Sequence, residues 1–211
     1  MRRHFFIPTV FLVILILMIP PALAEECRYS LSVAGQFSSL ISGDAGRGDQ
    51  APGYDDAFDT GMGAAVEMTY HLNDRVGLVA GVGYESYSGE TYQGIEFHDL
   101  DIIPVYVGAK YYFGSRQDTW NPYLRGDIGI ARFNSVDISY LANRAEYWEE
   151  SWVLMMDAGA GIEYNLESLA IFAEIKTRYF GEPSSSPYLG DLAKPDSSWS
   201  IPITIGVTFS F

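Results

Sequence analysis

Cysteine is almost missing: Cys27 is the only one in the 211-residue chain, so no disulfide can form within it. Basic residues are scarce beside acidic ones, 13 against 27, which leaves a net charge of −14. A chain of that sign is repelled by nucleic-acid phosphates, which excludes nucleic acid as a partner class. Histidine is rare as well, with only His4, His71 and His98, so a reaction that needs an imidazole has few places to sit. Also missing, beyond residue 24, is any sustained 3.6-residue apolar period, which excludes a helical domain.

The single long apolar run stands at the start. Arg2, Arg3 and His4 precede the run Phe5–Ile19, and Ala22-Leu23-Ala24 supplies a small-x-small cleavage site. This pattern predicts a secretory signal peptide over residues 1–24. Pro8 and Pro20 leave the run short of the ~20 residues a membrane helix needs. The expected mature chain is residues 25–211, with a net charge of −16 once Arg2 and Arg3 are gone. Glu25 and Glu26 separate Cys27 from the cut, so it is expected to be a free thiol rather than a lipid anchor.

What the rest of the chain does have is alternation. In Trp199–Phe211, WSIPITIGVTFSF, every odd position is bulky and apolar and every even one small or polar. A period of two places the two classes on opposite faces of a strand. The same pattern predicts strands over residues 29–40, 60–71, 75–87, 98–113, 120–136, 151–164 and 169–180. The links between them run long, short, long, short, long, short, long. The short ones carry Asn73-Asp74, residues 114–119 and residues 165–168, with turn-forming residues in each. Among the long ones, residues 88–97 and the acidic stretch 137–150 are expected to be loops.

Even strand number and alternating link lengths are features of transmembrane barrels. The alternative is a soluble eight-stranded barrel with its apolar face inward. The aromatic residues favour the first. Tyr70, Tyr111, Phe113, Trp120, Tyr164, Phe209 and Phe211 fall at the turn ends of their strands; Tyr84, Trp152, Tyr179 and Trp199 fall near the loop ends. Two such belts suit two membrane interfaces. The stretches IPVYVGAKYYF (103–113), NPYLRGDIGIA (121–131), GAGIEYNL (159–166) and the terminal IPITIGVTFSF resemble the eight-stranded OmpA-like and OmpX/opacity-type outer-membrane β-barrel family. The resemblance implies an all-β, eight-stranded antiparallel up-and-down barrel over residues 25–211, monomeric, in the cell outer membrane of a Gram-negative cell with both termini periplasmic. Its implied partners are outer-membrane lipid, lipopolysaccharide and the barrel assembly machinery. Phe209 and Phe211 would form the C-terminal assembly signal.

Alternation also points charged side chains into the barrel: Glu67, Glu85, Asp127, Asp157, Glu163 and Glu174 with Lys110, Arg125, Lys176 and Arg178. An eight-stranded barrel is just wide enough for side chains to fill, and buried charges need partners. The expectation is a lumen plugged by ion pairs, and hence a non-enzymatic protein with a structural or surface-interaction role. A narrow porin-like channel is the alternative. A lipid-modifying enzyme comes third, with His98 beside Ser86 or Ser88 and Asp99 as its only candidate set; the alternation sends His98 inward and both serines outward, against the contact such a pair needs. His71 lies at the turn end. The loop acids Asp44, Asp49, Asp55, Asp56, Asp59, Glu146, Glu149 and Glu150 lack the twelve-residue calcium-loop spacing. No metal or cofactor is expected.

Overall fold

The structure, a computed structural model, describes residues 28–47, 51–115, 118–141, 143–166, 168–187 and 193–211. The signal-peptide expectation and Cys27 lie outside these residues. In chain order the strands are β1 (Tyr29–Ser42), β2 (Gly61–His71), β3 (Val76–Tyr87), β4 (Thr91–Tyr92), β5 (Ile95–Phe97), β6 (Leu100–Tyr112), β7 (Trp120–Phe133), β8 (Val136–Tyr140), β9 (Asn143–Trp148), β10 (Ser151–Leu166), β11 (Leu169–Phe180) and β12 (Ser198–Ser210). One short helix, α1 (Tyr54–Ala57), lies between β1 and β2.

The eight long strands close into an antiparallel barrel, in the order β1-β12-β11-β10-β7-β6-β3-β2, with β1 pairing β2 to complete the cylinder. Each long strand therefore neighbours the one before and after it in sequence. The short turns are held by local chemistry. Asn73 accepts at its side-chain oxygen from the N–H groups of Arg75 and Val76, at 2.8 and 3.0 Å, which fixes the β2–β3 turn. Asp118 accepts from the Ser115 N–H at 2.7 Å in the β6–β7 turn. The seam is closed to the last residue: Phe211 N–H donates to the Tyr29 carbonyl at 3.0 Å and receives the reciprocal bond at 3.3 Å.

The two faces of the wall are inverted relative to a soluble protein. Ile203, Ile205, Ile128 and Met62 point outward and are 49%, 60%, 54% and 66% exposed, whereas Arg178 and Lys110 inside are each 1% exposed. A soluble barrel requires the opposite arrangement, so that alternative falls. The outward aromatics pair along their rows, Trp120 with Tyr164 at 4.7 Å and Tyr179 with Trp199 at 5.3 Å between ring centroids.

Two expected loops turn out to be folded. β4, β5, β8 and β9 form a second four-stranded sheet at the long-loop end, built from the links between β3 and β6 and between β7 and β10. Gln93 and Gly94 both take positive φ, 50° and 83°, as a two-residue hairpin turn requires, and Tyr92 faces Ile95 across it. β7 ends at Phe133 rather than continuing to Val136: Asn134 N–H still meets the Asp101 carbonyl at 3.0 Å as the last rung beside β6, and Val136 then opens β8, which pairs with β9 and β5 instead of the barrel.

Candidate functional site

Alternation along β2, β3, β6, β7, β10 and β11 delivers all ten inward charges to one buried layer. There they form a single connected chain of ion pairs. Glu163 meets Lys110 at 3.9 Å, and Lys110 meets Glu67 at 3.6 Å. Glu67 holds Arg125 at 2.7 Å, and Arg125 also reaches Asp127 at 2.6 Å and Glu174 at 3.1 Å. Lys176 links Glu174 at 3.3 Å to Asp157 at 3.6 Å, and Arg178 links Asp157 at 2.8 Å to Glu85. Mixed signs and multiple partners are what make such a layer tolerable away from water.

Four tyrosines complete it, and reasoning from the charges alone missed them. Tyr106 donates to Glu67 at 2.8 Å, Tyr123 to Glu174 at 2.9 Å, Tyr112 to Glu163 at 3.1 Å and Tyr87 to Glu85 at 2.7 Å. Their signal was present: each falls on the same parity as an inward charge of its own strand. Glycines make room for two of the rings. A Cβ at Gly81 would lie 2.5 Å from the Tyr106 ring, and one at Gly161 would collide with the Tyr123 ring. β1 and β12 contribute no charge to this layer. They line their side of the lumen with buried Ser30, Ser32, Gln36, Ser38, Ser200, Thr204 and Thr208, and Ser32 and Thr208 share a hydrogen bond of 2.8 Å.

Toward the long-loop end the lumen changes character. Leu40, Tyr87, Leu100, Ile102, Phe133, Val153, Met155 and Phe180 point inward and form an apolar cluster. The loops close over it with Tyr54, Phe58, Phe97, Tyr147 and Trp148. Trp148 is fully buried, stacks at 5.4 Å from Tyr54 and 5.6 Å from Phe58, and donates its indole N–H to the Ala45 carbonyl at 3.1 Å. Burial raises the Tyr54 phenol above its ordinary range, with the Asp196 carboxylate adding to it, and burial raises Tyr147 in the same direction. The lumen is thus polar only in part; its outer layer is a hydrophobic core.

The remaining candidates separate. His98 does not enter the lumen; it sits between β5 and β6, where its Nε2 is 2.9 Å from Ser139 Oγ, joining the two loops of the small sheet. Its carboxylate neighbour Asp99 accepts from the Gly89 N–H at 3.2 Å instead. His71 is buried at the turn end, 3.1 Å from Ser30 Oγ. Phe209 faces outward opposite Leu31 and Leu169. Among the loop acids, Glu150 pairs with Arg132 at 2.5 Å and Asp59 accepts from the Thr60 N–H at 2.6 Å. Asp55 and Asp56 lie in α1, Glu146 lies in β9, Glu149 donates its N–H to the Ser184 carbonyl, Asp44 bridges to Gly53, and Asp49 lies outside the described residues. Among the described residues, no three His, Cys, Asp or Glu side chains gather where they could hold a metal ion.

The family model described as "Outer membrane protein beta-barrel domain" matches residues 9–209. A search of curated proteins gave no match. Among solved structures, Neisserial surface protein A is similar with 16% identity and a TM-score of 0.55, over 87% of this chain and 97% of that one. A major outer membrane protein from Thermus thermophilus has 11% identity and a TM-score of 0.53, over 87% and 99%. Ail, the attachment invasion locus protein of Yersinia pestis, has 16% identity and a TM-score of 0.51, over 87% and 97%. At these identities the likeness is one of fold.

Proposed function

The chain belongs to the outer membrane protein β-barrel family, and from that premise we propose that it is a non-enzymatic surface protein: a sealed barrel that displays a folded platform outside the cell. Its termini and short turns then face the periplasm and its long loops the exterior. It inserts as a monomer through the barrel assembly machinery, with Phe209 and Phe211 as the signal, and sits among outer-membrane lipid and lipopolysaccharide. The observation that carries the reading is the double closure of the lumen, by the ten-residue ion-pair layer and by the apolar cluster beneath Trp148. A pore would need a continuous wet path, and an eight-stranded wall leaves about the space its own side chains fill. The His98–Ser139 contact is read as a structural tie between two loops, since Ser86 and Ser88 take no part in it.

Vesicles loaded with a self-quenching dye test the sealed barrel. Protein-bearing vesicles should retain ions and dye as long as empty ones do. Rapid release that scales with protein content would favour a channel instead.

A further inference from the structure

Two stretches, 103–113 along β6 and 201–211 along β12, share one pattern, Ile-Pro-x3-Gly-x4-Phe. Both prolines are buried on the lumen face. In each case the ladder breaks on one side only. β6 pairs with β7 straight through Pro104–Ala131, but with β3 it passes from Val82–Val105 to Glu85–Ile102. β12 pairs with β1 straight through Ser38–Pro202, but with β11 it passes from Ile175–Ile203 to Arg178–Ser200. Proline has no N–H to donate, and these two withhold it from β3 and from β11.

In the closed order of strands the two seams lie opposite each other, four strands apart either way round. Each break cuts off a short piece of its seam at the long-loop end. Three pairs remain above it: Glu85 to Tyr87 against Ile102 to Leu100, and Arg178 to Phe180 against Ser200 to Ser198. Below it the ladders run through Val76–Val82 and Leu169–Ile175, seven pairs each. One ion pair joins the two upper pieces. Glu85 and Arg178 are the first paired residues above the two breaks, and their side chains meet across the lumen. Asp157 holds Arg178 at 2.8 Å, and the Tyr87 hydroxyl donates to Glu85 at 2.7 Å. Below the breaks Glu67 does the bridging, to Arg125 and Lys110.

We propose that the loop-end rim of the wall is a hinged unit, with Pro104 and Pro202 as its break points and the Glu85–Arg178 pair as its latch. Released, the seams part above the prolines while the longer ladders below stay shut. A segment with few rungs and its own boundary is where local opening begins. Tyr87, Leu100, Ile102 and Phe180 of the rim also belong to the apolar cluster under the cap, so the latch sets how firmly the cap is seated. The charge layer below the prolines keeps the lumen closed when the rim moves.

Amide hydrogen exchange, read by NMR on the full mature chain in lipid nanodiscs, tests the hinge. N–H direction alternates along a strand as side chains do, so the inward residues of these strands donate across the seams. Tyr87, Ile102, Phe180 and Ser200 report above the breaks; Gly81, Tyr106, Glu174 and Thr204 report below. Glu85→Gln should speed exchange in the upper set about tenfold or more and leave the lower set within about twofold. Pro104→Ala with Pro202→Ala restores both donors. It should slow the upper set by itself and cancel most of the Glu85→Gln effect. Unchanged heat-modifiable gel migration keeps global unfolding out of the comparison. If Glu85→Gln does not fold, the proline variant decides alone, since it gains rungs. Upper-set exchange that the proline variant leaves unaltered, or acceleration by Glu85→Gln spread equally over both sets, overturns the hinge. Dye release from wild-type vesicles would strike the sealed-barrel reading and leave the exchange result standing.

Discussion

Arg178 joins strands that are not neighbours: its guanidinium spans Asp157 on β10 and Glu85 on β3, across the lumen. Arg178→Gln would strip Glu85 of the cation it pairs with and leave Asp157 with Lys176 alone, in a layer closed to solvent. Removing one partner of a well-buried pair costs about 3–5 kcal/mol, and urea unfolding in lipid vesicles should show a loss of that size. Glu174→Gln, which removes a carboxylate shared by Arg125 and Lys176 and facing Tyr123, should also lower stability without opening a conducting path. Inward parity of these charges was legible in the sequence, because period two leaves little choice of face once a strand is recognised. Which charge meets which was not. That depends on how far each strand slides past the next, and on Gly81 and Gly161 giving the Tyr106 and Tyr123 rings their places.

Long strands announced themselves because ten or more alternating residues average out local exceptions. β4 and β5, with two and three residues, are too short for any period to register, and their Gln93-Gly94 turn lacks the Asn-Gly or Asp-Gly that marks a hairpin most strongly. β8 and β9 were hidden by acids, which read as solvated loop. The buried Trp148 and Tyr147 were the signal passed over there. Trp148→Ala should cost about 3–5 kcal/mol of cap stability, seen as earlier protease cleavage within residues 134–150 while the barrel itself stays heat-modifiable. On β12, Ile203 faces outward beside Phe37 and Ile175. Ile203→Arg should destabilise the refolded barrel by about 2–4 kcal/mol if it lies at the bilayer midplane, whereas the neighbouring lumen change Thr204→Ser should be nearly silent. Equal stability of the two would reverse the assignment of faces. Deleting Phe211 removes both backbone bonds to Tyr29 at the seam, and should reduce the folded protein in an outer-membrane fraction far more than Cys27→Ser does.

At the scale of the whole molecule, apolar residues cover the outside of the wall and an ion-pair layer crosses the inside, with a hydrophobic cap over that layer. The cap ties its loops to one another: Phe58 of the β1–β2 link bridges to Gly89 of the β3–β6 link, and Trp148 of the β7–β10 link bridges to Ser185 of the β11–β12 link, so the four long links close over the barrel as one structure. Hydrophobic burial in the cap and charge pairing in the lumen act in series, and opening the barrel would require disrupting both. The most direct measurement of that claim is planar-bilayer recording of the purified, refolded wild-type protein. The account predicts a silent membrane, with at most brief, small transitions that do not grow as protein is added. Stable, porin-sized conductance steps from the wild-type barrel would contradict it.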